Sequence, residues 1–127
     1  MQINDPAVLA EVTAAFNAYE AALMSNDIPT LDALFWDSEF TLRLGVGENL
    51  YGMAAIKAFR EGRVGGSPQR VIRNTVITTF GTDFATANTE FVRENSARIG
   101  RQSHAWVRMA DGWKIVAAHV SMMAVGS

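Results

Sequence analysis

The spacing of hydrophobic residues changes once along this chain of 127 residues, at the segment Gly65-Gly66-Ser67-Pro68. Before this segment, apolar residues recur every three or four positions, which is the spacing of amphipathic helices. After it they alternate with polar residues in segments rich in Val, Ile, Thr and aromatic residues, which is typical of strands. Helices followed by strands predict an α+β domain, in which the helices cover the concave face of a strongly bent, antiparallel sheet.

Three helices are predicted before this change. The first begins at Asp5-Pro6, an N-cap followed by a helix-starting proline, and stops near Ser25-Asn26. The second begins at Asp27 with Pro29, and the third covers residues 53–63. The strand-like segments form one meander with hairpin turns at residues 81–83 and 110–112 and a polar tip at residues 94–100. They are Gln69 to Phe80, Phe84 to Arg93, Arg101 to Met109 and Trp113 to Met123.

Composition indicates a single globular domain over residues 1–127, with 49% hydrophobic residues and a net charge of −2. This net charge does not indicate the basic surface that binds nucleic acid or an anionic membrane. We therefore expect a small-molecule or protein partner. The absence of Cys excludes disulfides and thiolate metal sites. Two distant His residues form no metal motif, and no cofactor is expected. The N-terminus lacks the features of a signal peptide, so a soluble, cytoplasmic protein is expected.

Arg43 is the most informative polar residue, because it alternates with Leu42 and Leu44 on a short predicted strand that leads into a glycine-rich loop at residues 45–52. Its side chain therefore points to the face opposite the leucines. If that face is enclosed, the guanidinium needs a partner, and a carboxylate matches it best. No acid of the same strand parity lies nearby, so we expect an anionic ligand, with a surface-reaching or internally paired guanidinium as the alternative.

Several short blocks resemble the AtzH-like family of the NTF2-like, or SnoaL-like, superfamily, whose fold is a cone of three N-terminal helices on a strongly curved, mainly antiparallel sheet. The closing pattern from Gly112-Trp113-Lys114 to His119-Val120-Ser121 is typical of the superfamily. The family blocks are Tyr19-Glu20, Asn26-Asp27, Leu31-Asp32-Ala33-Leu34-Phe35-Trp36, Gly47-Glu48-Asn49-Leu50-Tyr51-Gly52, Val76-Ile77-Thr78-Thr79-Phe80-Gly81 and Gly100-Arg101-Gln102-Ser103.

This resemblance implies that Tyr19 and Arg43 form the catalytic pair, a phenolic proton donor beside an anion clamp. Without it, the spacing along the first helix favours Tyr19 as a core aromatic. His104 resembles the position from which a cationic residue enters the pocket of a kinase association domain, and Trp106 alternates with it on the same strand. Further predicted substrate contacts are Trp36, Asn49, Tyr51 and Arg60. For Asn49 the alternative is a structural role in the turn, and for Arg60 it is a solvated side chain at the pocket rim.

The family includes proteins linked to oxalurate catabolism and a decarboxylating amidohydrolase of cyanuric acid breakdown. The resemblance thus implies a cofactor-independent amidohydrolase that acts on a carboxylated urea or amide. Two alternatives stay open: a non-catalytic ligand-binding or assembly domain that supports a partner amidase, and a cyclase-like or dehydratase-like enzyme. We also expect a homodimer through the uncovered face of the sheet. The residues predicted on this face are Ser103, Ala105, Val107, Ile115, Ala117 and His119.

Overall fold

Three helices cover one face of a six-stranded mixed sheet in the computed structural model, which describes residues 1–125. The helices are α1 (Pro6–Met24), α2 (Ile28–Leu34) and α3 (Met53–Gly62). The strands are β1 (Leu42–Leu44), β2 (Asn49–Tyr51), β3 (Arg70–Phe80), β4 (Phe84–Arg93), β5 (Ile99–Met109) and β6 (Gly112–Met122). The predicted α+β class and the order of helices before strands are confirmed. The single domain over residues 1–127 stays a prediction, and its last two residues lie outside the described part.

Each helix starts where the local chemistry predicts. The Asp5 carboxylate accepts a hydrogen bond from the Val8 N–H at 3.2 Å and caps α1. Asp27 caps α2 in the same way through the Thr30 N–H, also at 3.2 Å. Helix α3 follows Gly52, whose φ of 87° lies in the left-handed region that glycine adopts without strain.

The strands are ordered β2-β1-β6-β5-β4-β3, and every neighbouring pair is antiparallel except β1 with β6. Strand β2 was not predicted, because residues 45–52 were assigned to one loop. Its three residues pair with β1, with Leu42 opposite Tyr51 and Leu44 opposite Asn49. A strand this short contains too few residues for period-two alternation to be recognised.

Two irregularities bend the sheet. One lies in β3 between Arg73 and Val76, and the other shifts the register of β5 and β6 between Ala105 and Trp106. Ala105 pairs with Ala117 but Trp106 pairs with Ile115, so β6 contains one extra residue. Ile115 therefore faces the helices and is fully buried, which corrects its predicted place on the outer face.

The core lies between α1 and the inner face of the sheet. Its largest buried side chains come from both layers and include Phe16 of α1, Phe35 after α2 and Trp106 of β5. Alanines flank the large residues of β5: Ala85 stands opposite Trp106 on β4, and Ala87 stands opposite His104. Both alanines are fully buried, so the sheet places small side chains beside large ones under α1. No described helix has both the length and the apolar character needed to cross a membrane.

Candidate functional site

The fold brings Tyr19 of α1 and Arg43 of β1, which are 24 residues apart, into one cavity between α1, α3 and the sheet. Its volume is about 10 Å³, and roughly this much space holds one water molecule. A larger ligand therefore requires side chains around the cavity to move. The residues that line it are Tyr19, Leu23, Arg43, Ile56, Phe59, Arg60 and Arg63.

Arg43 has a carboxylate partner inside the chain, which is the internally paired alternative to an anionic ligand. Its Nη1 donates to Oε1 of Glu48 at 2.6 Å. The hairpin between β1 and β2 returns Glu48 to Arg43, so strand parity did not reveal the contact. Gly45 leaves room for this contact, because a Cβ there would lie 2.0 Å from that carboxylate oxygen and would displace it.

Arg60 is buried, with 5% exposure, rather than solvated at a pocket rim as predicted from its charge. It stands one turn after the core residue Ile56, so the helix carries it to the inner side. Its Nη1 donates to the Asp32 carboxylate at 2.6 Å, and its guanidinium lies 4.4 Å from the centre of the Phe35 ring. Both contacts offset the cost of burying the charge.

Arg63 is the third guanidinium of the cavity. Arg43 and Arg63 both approach the Phe59 ring, at 5.6 Å and 5.4 Å from its centre. Burial, followed by the charge of Arg43, lowers the pKa of Arg63. Its Nε atom is buried and has no hydrogen-bond partner among residues 1–125. Since Glu48 and Asp32 pair with the other two arginines, Arg63 is the cavity arginine that has no ion pair within residues 1–125, and the cavity contains three guanidinium groups for two carboxylates.

His104 lies on the inner face of β5 beneath α1. Its ring meets the Tyr19 ring edge-on, with 4.6 Å between the ring centres, and lies 5.8 Å from the ring of Trp106. Burial, followed by the charges of Arg70, Arg43 and Arg60, lowers the pKa of His104 to about 3. His104 is therefore neutral at pH 7, with one ring nitrogen as a donor and the other as an acceptor.

Three neighbouring inward side chains of β5 contain buried polar atoms without partners in the described part of the chain. These are Nε2 of Gln102, both ring nitrogens of His104 and Nε1 of Trp106. The three residues are 0–2% exposed, and we call them the β5 floor. Buried polar atoms in proteins are almost always hydrogen-bonded, so such a row indicates a place for a polar molecule.

Gln102 was not predicted as a site residue, although its parity on β5 matches that of His104 and Trp106. Its side-chain oxygen accepts a hydrogen bond from Arg70 Nη2 at 2.9 Å. Arg70 also donates to both carboxylate oxygens of Glu20, at 2.6 and 3.0 Å. Gln102 is identified as a site residue by these buried contacts, which join residues from α1, β3 and β5.

Three predicted contacts lie elsewhere. Asn49 and Tyr51 are exposed and share the strand parity that faces away from the helices, whereas Leu50 between them pairs with Arg43 and packs on the core. Trp36 lines a separate surface cleft of about 610 Å³ and packs against the Phe40 ring. Side chains alternate between the two faces of β2, which explains why Asn49 and Tyr51 lie away from the inner cavity.

His119 is exposed on the outer face of the sheet, in a groove of about 320 Å³. Leu42, Leu44, Ala105 and Ala117 line the same groove, so His119 does not face the inner cavity. Within residues 1–125, His, Asp and Glu side chains form no cluster of three that could hold a metal ion. The chemistry of the inner site therefore has to be sought in its arginines, Tyr19 and the β5 floor.

The model of the AtzH-like family matches residues 1–126. The chain belongs to the AtzH-like family. Two solved structures agree closely with this AtzH-like protein. One is a protein of unknown function from the DUF3225 family of Pectobacterium atrosepticum, with 56% identity, a TM-score of 0.94 and coverage of 96% of this chain and 95% of that chain. The other is a cystatin-like fold protein from Burkholderia xenovorans, with 50% identity, a TM-score of 0.93 and 98% coverage of both chains.

A more distant structure shows the wider fold. It is a nuclear transport factor 2 (NTF2-like) superfamily protein from Salmonella enterica, with 24% identity, a TM-score of 0.75 and coverage of 95% of this chain and 94% of that chain. The predicted NTF2-like fold is thereby confirmed. A comparison with curated proteins found no significant match.

Proposed function

We propose that this AtzH-like protein is a cofactor-independent, decarboxylating amidohydrolase that acts on a small carboxylated urea or amide, such as dicarboxyurea or an oxalurate-like compound. The observation that carries the proposal is the joining of Tyr19 to three arginines in one buried cavity, where two carboxylates among residues 1–125 pair with the three guanidinium groups. A monoanionic carboxylate supplies the missing negative charge. Arg43 is the best candidate to bind it, because its partner Glu48 lies on a turn and can yield to a ligand.

Tyr19 is the proposed proton donor. In dicarboxyurea the bond between a carbamate carbon and its nitrogen breaks, the electron pair goes to the nitrogen and carbon dioxide leaves. In an amide such as oxalurate, bound water adds to the carbonyl carbon and loses its proton to solvent, and the C–N bond then breaks with the electron pair on the departing nitrogen. The phenol of Tyr19 gives its proton to that nitrogen, and solvent restores the proton afterwards. The guanidinium groups stabilise the transient phenolate, and a preorganised donor of this kind contributes about 3 kcal/mol. This step needs no protein nucleophile, which fits a site without Cys and without a serine triad.

The test is release of carbon dioxide and ammonia by the purified protein alone, with dicarboxyurea, carboxybiuret, allophanate and oxalurate as substrates. Arg43→Lys keeps the charge but loses the planar, two-point grip on a carboxylate, so most turnover should disappear. Arg73→Lys is the matched control, because Arg73 is an exposed strand arginine that pairs with Glu90 far from the cavity. Normal turnover by Arg43→Lys would refute the proposed site.

The second candidate is a non-catalytic domain that binds a carboxylated ligand and supports a partner amidase. The absence of an evident general base in the cavity favours it, since hydrolysis of an amide requires activated water. Binding of oxalurate that depends on Arg43, without release of either product from any of the four substrates, would establish this alternative. Restoration of product release by an added amidase would then identify the partner.

A homodimer is the proposed assembly. The outer groove is lined by Leu42, Leu44, Ala105 and Ala117, and Tyr51 beside it is 69% exposed. An apolar sheet face of this kind is suited to pairing with a second copy. Light scattering at micromolar concentration should give twice the chain mass of 13.8 kDa. Ala105→Glu should give the monomer mass, and a wild-type monomer would refute the assembly.

A further inference from the structure

We propose that the β5 floor binds the acceptor end of the ligand whose carboxylate is bound by Arg43, and that Gln102 is the residue that selects ligands with such a second end. This inference rests on the carboxylate-binding role of Arg43 proposed above. It adds a second ligand-binding subsite that the anion clamp does not require. The ligand class is therefore a carboxylate joined to an amide, a ureido group or another carboxylate.

The polar groups of the β5 floor favour ligands that carry hydrogen-bond acceptors. Gln102 presents a side-chain NH₂ with two donors, Trp106 presents one indole N–H, and neutral His104 presents one donor and one acceptor. All three side chains are at least 98% buried, so solvent outside the fold does not satisfy them. Carbonyl and carboxylate oxygens complement a surface on which donors outnumber acceptors.

The neighbours of Gln102 determine which of its two terminal side-chain atoms is the oxygen and which is the nitrogen. Arg70 can only donate, so the side-chain atom of Gln102 that it contacts at 2.9 Å must be the oxygen. Glu20 holds Arg70 with two hydrogen bonds, at 2.6 and 3.0 Å. The NH₂ group of Gln102 is therefore left as the unpaired end, on the same face of β5 as His104.

The floor adjoins the arginine cavity through Tyr19. The Tyr19 ring lines that cavity and also meets the His104 ring, with 4.6 Å between the ring centres. A ligand of two linked groups can thus contact Arg43 with one end and the floor with the other, on either side of the proposed proton donor. Because the cavity measures only about 10 Å³, such a ligand reaches the floor when the Tyr19 ring moves away from His104.

Nuclear magnetic resonance of the wild-type protein tests the floor directly. The chain has three Trp residues, so its ¹⁵N spectrum contains three indole signals. Oxalurate should move the Trp106 indole proton downfield, because that N–H gains an acceptor. The Trp113 indole already donates to Glu11 at 3.0 Å and should not move. The NH₂ signals of Gln102 should move together with that of Trp106.

A matched pair of variants tests selectivity. Gln102→Met keeps the length of the side chain but removes the donors, and it should weaken oxalurate binding about tenfold, the effect of about one hydrogen bond. Acetate has no second end, so its affinity should stay unchanged in the same variant. Ser103→Ala, on the outer face of the same strand, should change neither affinity.

The outcomes separate this inference from the proposed function. Arg43-dependent binding of oxalurate that leaves the Trp106 and Gln102 signals in place overturns the floor subsite but not the anion clamp. Movement of both signals without any product release supports the subsite and refutes the amidohydrolase. Failure of oxalurate and malonate to bind at all overturns both the floor subsite and the anion clamp at Arg43. Equal loss of acetate and oxalurate affinity in Gln102→Met shows a structural role for Gln102 and overturns its selective one.

Discussion

The arginine cavity and the β5 floor differ in how many of their buried polar groups have partners inside the chain. Arg43 and Arg60 each bind a carboxylate of the chain at 2.6 Å, whereas the neutral donors of Gln102 and Trp106 have no partner within the described residues. An unpaired buried charge costs far more than an unpaired neutral donor. The protein therefore pairs Arg43 and Arg60 internally, leaves Arg63 without a carboxylate in the described residues, and leaves the neutral groups of the floor for the ligand. Four perturbations test this difference.

The largest effect is expected from breaking the internal pair of Arg60. Asp32→Ala leaves a guanidinium with 5% exposure without its carboxylate and should lower the free energy of unfolding by about 3 kcal/mol. Urea unfolding measures the change. Asp37→Ala is the control, because its contact with Lys57 is 3.9 Å long and exposed, and it should change stability by less than about 0.5 kcal/mol. Equal losses in the two variants would contradict the special role of the buried pair.

A second effect concerns catalysis at the boundary between the two regions. Tyr19→Phe removes one hydroxyl and almost no volume, so it should reduce kcat by about 100-fold, or about 2.7 kcal/mol, with little change in KM. Steady-state kinetics with the best of the four ureido substrates provides the measurement. A Tyr19→Phe variant with the wild-type kcat would show that the phenol only packs against His104.

The pH dependence of stability tests whether the floor is neutral. The pKa of His104 is about 3 in the folded protein and 6.5 in the unfolded chain, so the unfolded chain binds more protons below pH 6.5. The free energy of unfolding should therefore fall as the pH falls, by about 1.5 kcal/mol between pH 6.5 and about pH 5. His104→Gln should flatten this part of the curve. An unchanged slope in that variant would assign the effect to another group.

The smallest effect is expected when Glu48 no longer competes with a ligand carboxylate for Arg43. Glu48→Gln removes the internal carboxylate and should raise the affinity for acetate about fivefold, because a partly exposed ion pair contributes at most about 1 kcal/mol. Calorimetric titration measures this gain. Glu90→Gln, which frees the exposed Arg73, should leave acetate affinity unchanged. Weaker acetate binding in Glu48→Gln would mean that Glu48 positions Arg43 rather than competing with the ligand.

Local patterns predicted much of the fold. The caps at Asp5 and Asp27 placed the first two helices, and period-two alternation placed the four strands of the meander. The same alternation predicted that His104 and Trp106 share a face of β5. These features depend on neighbouring residues, and they survive in the tertiary structure because burial reinforces them.

Residues distant in the chain account for what the sequence did not reveal. The hairpin between β1 and β2 brings Glu48 to Arg43, and the one-residue irregularity of β6 turns Ile115 inward. The contact of Arg70 with Gln102 crosses 32 positions. Sequence alone determined which residue types are present and which local elements they form. Only the tertiary structure decided which charges are paired and which donors stay free, because both depend on distances between residues that no local period encodes.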